Sequence, residues 1–188
     1  MKIERLIVGG AALLVGLLAG WMIRGVATYN IHTASVSVYE DWRVACPEAD
    51  SKDSSCELST DVVDKSQGTP NPLGRAGVTF AKDGKQMMNF MLPYGVALEA
   101  GMGFRVGKEP VKVIQYRTCN TIGCLAETPF DAPMATALNG TDDAAVMFAG
   151  LDGKPVSVPI SFKGYKKALS VWKSNEQKRH VWFWRLFS

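Results

Sequence analysis

The sequence predicts a mainly β chain: an antiparallel β-sandwich or barrel-like exported domain with one or two short helices, preceded by a single transmembrane helix. Three observations carry this expectation. Short apolar runs fill the stretch from Val36 to about Phe162. Two Asp-Gly turns, Asp83-Gly84 and Asp152-Gly153, each separate two such runs. Ahead of them, Leu6 to Ile23 carries no charged residue.

The β elements follow in order. Val36-Ser-Val-Tyr39 and Trp42-Arg-Val-Ala45 alternate apolar with polar positions, the period of a half-buried strand. Ala76–Phe80, the turn Lys82-Asp-Gly-Lys85 and Met87–Leu92 read as strand, turn and strand. Phe104-Arg-Val106 and Val111–Tyr116 read as another pair. The turn Leu151-Asp-Gly-Lys154 joins Ala144–Ala149 to Val156–Phe162. Many short strands with regular turns imply an antiparallel sandwich or barrel. Helical pieces are expected from Asp131 to Leu138 and from Lys163 to about Ser174, and an exposed loop over residues 64–75, which hold two prolines and two glycines. Asn139-Gly-Thr fits the glycosylation sequon, and in a bacterial chain it reads as an Asn-Gly turn.

The uncharged run of Leu6 to Ile23 would span about 27 Å as a helix, close to the roughly 30 Å hydrocarbon core. A cleaved signal peptide would have a shorter apolar core, and Arg24 is a poor neighbour for a cleavage site at Gly25-Val-Ala27. The expectation is therefore an uncleaved anchor: a cytoplasmic stub at 1–5, a membrane helix at 6–24 and a linker at 25–35, with the rest periplasmic beyond the bacterial inner membrane. Ala12, Gly16 and Gly20 recur every four residues, a small-residue face on which a second helix can pack closely.

Charge is uneven. Residues 36–172 carry fourteen basic and sixteen acidic side chains, whereas residues 173–188 carry four basic and one acidic. A nucleic-acid module would place its basic residues on the folded domain, so that class is excluded. Basic ends suit anionic headgroups or an acidic partner. The tail at 173–188 ends in Trp182, Phe183, Trp184, Arg185, Leu186 and Phe187, apolar on nearly every side. Trp and Arg belong at headgroup level and at protein hot spots. The expected partners are the lipid bilayer and an integral inner-membrane protein complex. The alternative is that the tail folds back onto its own sandwich.

The four cysteines, Cys46, Cys56, Cys119 and Cys124, follow the export segment, and an even count there reads as two disulfides. Three connectivities are possible; 46–56 with 119–124 is preferred, because each pair brackets a turn. The short Cys119–Cys124 loop also admits a reading as an exchangeable disulfide, which would make the chain a thiol-disulfide factor. CxxC and CxxCH motifs are absent, and the only histidines are His32 and His180, so neither a metal site nor a cofactor is expected. Nucleophile–base chemistry needs a base poised near neutral pH. Asp41, Glu127, Asp131, Asp142 and Asp143 stand in turn or helix-start contexts, where structural roles prevail. The expectation is a non-enzyme with no small-molecule substrate.

Several stretches together resemble the invasion-associated locus B family of alphaproteobacteria. They are Tyr39-Glu-Asp-Trp-Arg-Val-Ala-Cys46, Cys56-Glu-Leu58, Met91-Leu-Pro-Tyr-Gly-Val96, Tyr116-Arg-Thr-Cys-Asn-Thr-Ile-Gly-Cys124 and the segment from Gly153 to Tyr165. The resemblance covers about residues 36–172. It implies an exported, all-β, disulfide-bonded domain with no established catalytic residues. The chain departs from it in keeping its first helix, where family members usually carry a cleavable signal, and in its tail after Trp172. The function expected is that of an accessory or assembly subunit that stabilises a larger respiratory or photosynthetic membrane complex. The alternative is a secreted or envelope invasion factor at the cell surface.

Overall fold

The computed structural model describes residues 13–17, 19–20, 34–48, 54–66 and 68–180. Two antiparallel sheets pack face to face. The first has seven strands in the order β1-β2-β3-β4-β5-β9-β8, and the second four in the order β11-β10-β6-β7. The first sheet comprises β1 (Ser35–Tyr39), β2 (Trp42–Cys46), β3 (Glu57–Asp64), β4 (Asn71–Phe80), β5 (Gln86–Leu92), β8 (Tyr116–Asn120) and β9 (Gly123–Pro129). The second comprises β6 (Met102–Val106), β7 (Lys112–Ile114), β10 (Ala144–Ala149) and β11 (Pro155–Ile160). Only Gln115 separates β7 from β8, so the chain passes there from one sheet to the other and closes that side of the sandwich.

Period-two alternation builds the core. Trp42, Val44 and Cys46 of β2, Met88, Phe90 and Leu92 of β5, and Met102, Phe104 and Val106 of β6 all point inward. Phe90 of one sheet meets Phe104 of the other with ring centroids 4.8 Å apart and planes tilted by 54°. Such pairs add about 0.5–1.5 kcal/mol to the value of their burial. Both Asp-Gly turns lie where the sequence places them, joining β4 to β5 and β10 to β11.

Helix α1 (Ala132–Asn139) starts on Asp131, whose carboxylate accepts the Met134 N–H at 3.0 Å. Helix α2 (Tyr165–His180) is longer than the sequence suggested, because its buried stripe continues past Ser174 to Glu176. Gly164 enters α2 at φ +82, and a Cβ there would lie 1.9 Å from the Tyr39 carbonyl oxygen, so only glycine fits against the β1–β2 turn.

Two expectations need correction. The loop over residues 64–75 is a loop only as far as residue 70: residues 71–75 belong to β4, with Pro72 opposite Val63 beside an irregularity in the register. Pairing of β4 with β5 begins only at Arg75, so Pro72 lies outside that ladder. Strand β3 was not anticipated, because Ser59, Thr60 and Asp61 interrupt its apolar pattern.

Of the expected membrane span, residues 13–17 and 19–20 are described and are helical, with Leu13, Leu14, Val15 and Leu17 exposed. Among the described residues no helix is long and apolar enough to cross a membrane. A Cβ added at Gly16 or Gly20 would meet no atom within 4 Å. Ala12, and Trp182, Phe183, Trp184, Arg185, Leu186 and Phe187 of the tail, lie outside the described residues.

Candidate functional site

The two ends of the sandwich differ in chemistry. At one end the disulfide Cys46–Cys56 joins the end of β2 to the residue before β3. Cys56 is fully buried, and α2 lies across it. The Trp172 indole donates to the Cys56 carbonyl at 2.9 Å, and the Glu176 carboxylate accepts the Cys56 N–H at 2.9 Å. Trp172 stacks on Phe80 at 4.7 Å. Arg179 donates to the carbonyls of Pro47, Glu48 and Ser54, and its Nε lies 4.0 Å from Glu176. The helix thus holds both sides of the disulfide loop through backbone atoms, and Glu176 is a buried acid with its donors in place.

Sequence reasoning missed Glu176 and Arg179, which it assigned to a separate tail. The signal was present: Tyr165, Ala168, Leu169, Trp172, Glu176 and Arg179 repeat at three- and four-residue intervals, which place them on one helix face. A lone acid within a basic run did not identify itself as a buried acceptor.

The first strand and the last helix of the described domain meet at this same end. Ser35, at the start of β1, pairs with Cys46, and Arg179, near the end of α2, binds Pro47 and Ser54. Ser35 and Arg179, near the two described ends of the domain, therefore lie beside the same disulfide.

The other end carries the second disulfide, Cys119–Cys124, between residues directly opposite each other in the β8–β9 hairpin. The Tyr94 hydroxyl donates to the Asn120 carbonyl, which ties the segment after β5 to the hairpin tip. The Leu151 N–H donates to the Gly95 carbonyl at 2.9 Å, which ties in the β10–β11 turn. Between them lies an open groove of about 510 Å³, walled by Tyr94, Val96, Leu98 and Leu151 with the disulfide at its side. Leu98 is 51% exposed and Leu151 80%, a large apolar display for a loop cluster.

Four of the five candidate acids are engaged in the fold. Asp41 accepts the Ser161 hydroxyl, Glu127 pairs with Arg117, and Asp131 caps α1. Asp143 takes both guanidinium nitrogens of Arg105, at 2.8 and 3.1 Å. That hydrogen-bonded pair holds the Asp143 carboxyl below its ordinary range. Asp142 stands exposed in the turn before β10. Burial pushes the Tyr165 phenol up to about 12. Among the described residues no cluster of three or more His, Cys, Asp or Glu side chains is placed to hold a metal ion.

Comparison with known proteins agrees with this architecture. The family model for invasion associated locus B (IalB) protein matches residues 42–173. Invasion protein B homologues of Brucella abortus, from strain 2308 and from biovar 1 strain 9-941, are each 28% identical over 132 residues, covering 70% of this chain and 75% of theirs. The crystal structure of invasion associated protein B from Bartonella henselae superposes with a TM-score of 0.62 at 18% identity, over 76% of this chain and 99% of that one. That likeness is one of fold. Helix α2 continues seven residues beyond the matched segment. With the matched segment taking in every described strand but β1, and both disulfides, the chain belongs to the invasion associated locus B protein family.

Proposed function

We propose that this chain is a non-catalytic accessory subunit, held at the bacterial inner membrane by both extremities, whose periplasmic β domain stabilises a larger respiratory or photosynthetic membrane complex. One observation carries the reading: Ser35 and Arg179 sit at the same end of the sandwich, beside Cys46–Cys56. The apolar segment before the domain and the aromatic one after it are thus both joined to one end of it, so a bilayer or a membrane-embedded partner at that end can receive both. Ordering the tail costs about 1–2 kcal/mol per residue in backbone entropy. Each large side chain returns about 1.5–3 kcal/mol when buried. Binding therefore requires that most of Trp182, Phe183, Trp184, Leu186 and Phe187 be covered. Affinity purification of the full chain in mild detergent tests the reading. Stoichiometric integral-membrane partners, lost when residues 181–188 are deleted, are expected; recovery of a lone monomer refutes it.

A second reading, a secreted or envelope factor acting at the cell surface, is favoured by the invasion proteins to which the chain is similar. It requires removal of the N-terminal segment. Intact mass of the mature protein decides: loss of residues 1–27 supports the second reading, and a retained Met1 or Lys2 supports the first.

A further inference from the structure

We propose that Cys119–Cys124 is a thiol–disulfide exchange site whose substrates are apolar polypeptide segments bearing a pair of cysteine thiols, seated in the groove between Tyr94, Leu98 and Leu151. The inference goes beyond the anchoring role and does not depend on it.

The two disulfides offer opposite access. Cys46 and Cys56 are 8% and 0% exposed, and Trp172, Asn175 and Glu176 of α2 lie against them. An attacking thiolate must approach along the S–S axis, so that bond is unreachable while α2 is docked. Cys119 instead lies exposed on β8, an edge strand of the seven-stranded sheet, whereas Cys124 is only 3% exposed. Cys119 is the accessible residue of the pair and Cys124 the covered one, the asymmetry that directs attack to the first and leaving to the second.

The hairpin is built to survive opening of the bond. Asn120 pairs with Gly123 and Thr118 with Leu125, on either side of the cysteines. The Asn120 side chain accepts the Ile122 N–H at 2.9 Å, and Tyr94 holds the Asn120 carbonyl. On the far side, β9 is paired to β5 from Cys124 to Pro129. Gly123 lets the turn lie against β5: its φ is +156, and a Cβ there would come within 2.3 Å of the Leu92 carbonyl oxygen. These contacts keep the two sulfurs adjacent after reduction, so the pair can close again without refolding.

The groove states what approaches. Glu99 is the one charged residue among those lining it, and the rest of the wall is aliphatic, aromatic or backbone. Such a wall binds an extended apolar segment by burial and leaves a polar one in water. The thiol must come from another molecule, because all four cysteines of the chain are paired. The described chain ends also leave from the opposite end of the sandwich.

The chemistry balances as follows. A substrate thiolate attacks Cys119 Sγ; the Cys119–Cys124 bond breaks, and its electron pair leaves on Cys124 Sγ, which takes a proton. The substrate's second thiolate attacks its own sulfur in the mixed disulfide and expels Cys119 as a thiolate, which is protonated in turn. The substrate dithiol loses two electrons and two protons to become a disulfide, and the cysteine pair gains them. A second disulfide, of protein or small-molecule class, returns the pair to its oxidised form by the reverse exchange.

The test uses the oxidised full chain in mild detergent and two synthetic peptides. Each peptide carries two cysteines, one set flanked by Leu and Phe and the other by Ser and Asn. Alkylation followed by peptide mass spectrometry reads which bond opens and how fast. The apolar peptide is expected to open Cys119–Cys124 about tenfold faster than the polar one, the equivalent of burying about one CH₂-rich side chain in part. Cys46–Cys56 stays closed meanwhile. The double variant Leu98→Ser, Leu151→Ser, at exposed positions that do not support the core, is expected to bring the peptide rates within about twofold. Equal rates of the two peptides on the unaltered chain overturn the proposal, as does opening of Cys46–Cys56 before or together with Cys119–Cys124.

Discussion

Replacing Glu176 with Ala tests whether α2 is an integral part of the domain. The carboxylate accepts the N–H of Cys56, a residue with no exposed surface, and stands beside Arg179. Truncation leaves a buried donor without its acceptor, which costs about 1–3 kcal/mol, and the charged acceptor places the loss in the upper part of that range. Arg179 keeps its three carbonyl acceptors, so little is added from that side. The expected loss is about 2–3 kcal/mol for Glu176→Ala, and about 1 kcal/mol for Glu176→Gln, which retains an amide oxygen for the Cys56 N–H. Urea unfolding of the full chain with disulfides intact reads this through tryptophan fluorescence, since Trp172 stacks on Phe80 and loses that contact on unfolding. With a slope of about 2 kcal/mol per molar urea, Glu176→Ala moves the midpoint down by about 1–1.5 M. A Glu176→Ala midpoint equal to that of the unaltered chain refutes the reasoning. So does a Gln variant as damaged as the Ala variant, because the argument rests on the acceptor and not on side-chain bulk.

Other expectations follow from the same geometry. Gly164→Ala drives a methyl group onto the Tyr39 carbonyl at positive φ and is expected to cost about 2 kcal/mol or more, read by thermal or urea unfolding. Replacing Cys46 and Cys56 together by Ser opens a ten-residue separation and is expected to cost about 3 kcal/mol in the same assay, before any loss of α2 docking. Tyr165 has a folded pKa raised to about 12 against an ordinary value of 10.0, so its contribution is full below pH 10 and is lost as pH rises toward 12. The loss is about 2–3 kcal/mol, removed in Tyr165→Phe, and followed by alkaline unfolding alongside phenolate absorbance. Asp143 has a lowered pKa, so its contribution is present above the ordinary carboxylate value of 3.8 and fades as pH falls through its folded value. Arg105→Ala is expected to flatten that acid limb while changing neutral stability little, because the pair is solvent-exposed.

The sheet architecture was legible wherever turn chemistry and alternation agree. Asp83-Gly84 and Asp152-Gly153 marked two hairpins, and alternation marked β1 and β2 as strands, which the structure pairs as a third. Strand β3 escaped notice because a seven-stranded sheet supplies Thr60 with a partner, the Asp41 carbonyl at 2.8 Å, that no local pattern announces. The first five residues of β4 escaped because Pro72 and Gly74 read as loop punctuation, although a Cβ at Gly74 would stand only 2.2 Å from the Met91 carbonyl. The disulfide pairing preferred from spacing is the one observed. The groove beside Cys119 was not legible, since it brings together three segments distant in sequence: that of Tyr94 and Leu98, that of Leu151, joined to it through the Val96–Gly150 bridge and Gly95, and the hairpin of Cys119, joined through Asn120.

The clasp of α2 on Cys56 joins residues 116 and 120 positions apart. A ribosome reaches Trp172 and Glu176 long after Cys46 and Cys56 have emerged, so for most of synthesis that bond has no lid. Contacts of such long range form late, once loop closure has been met by the rest of the sheet. The nascent chain therefore keeps Cys56 uncovered until residues 172–176 have been made. A premature stop before Trp172 would yield a polypeptide with both sheets encoded and its deepest sulfur left uncovered.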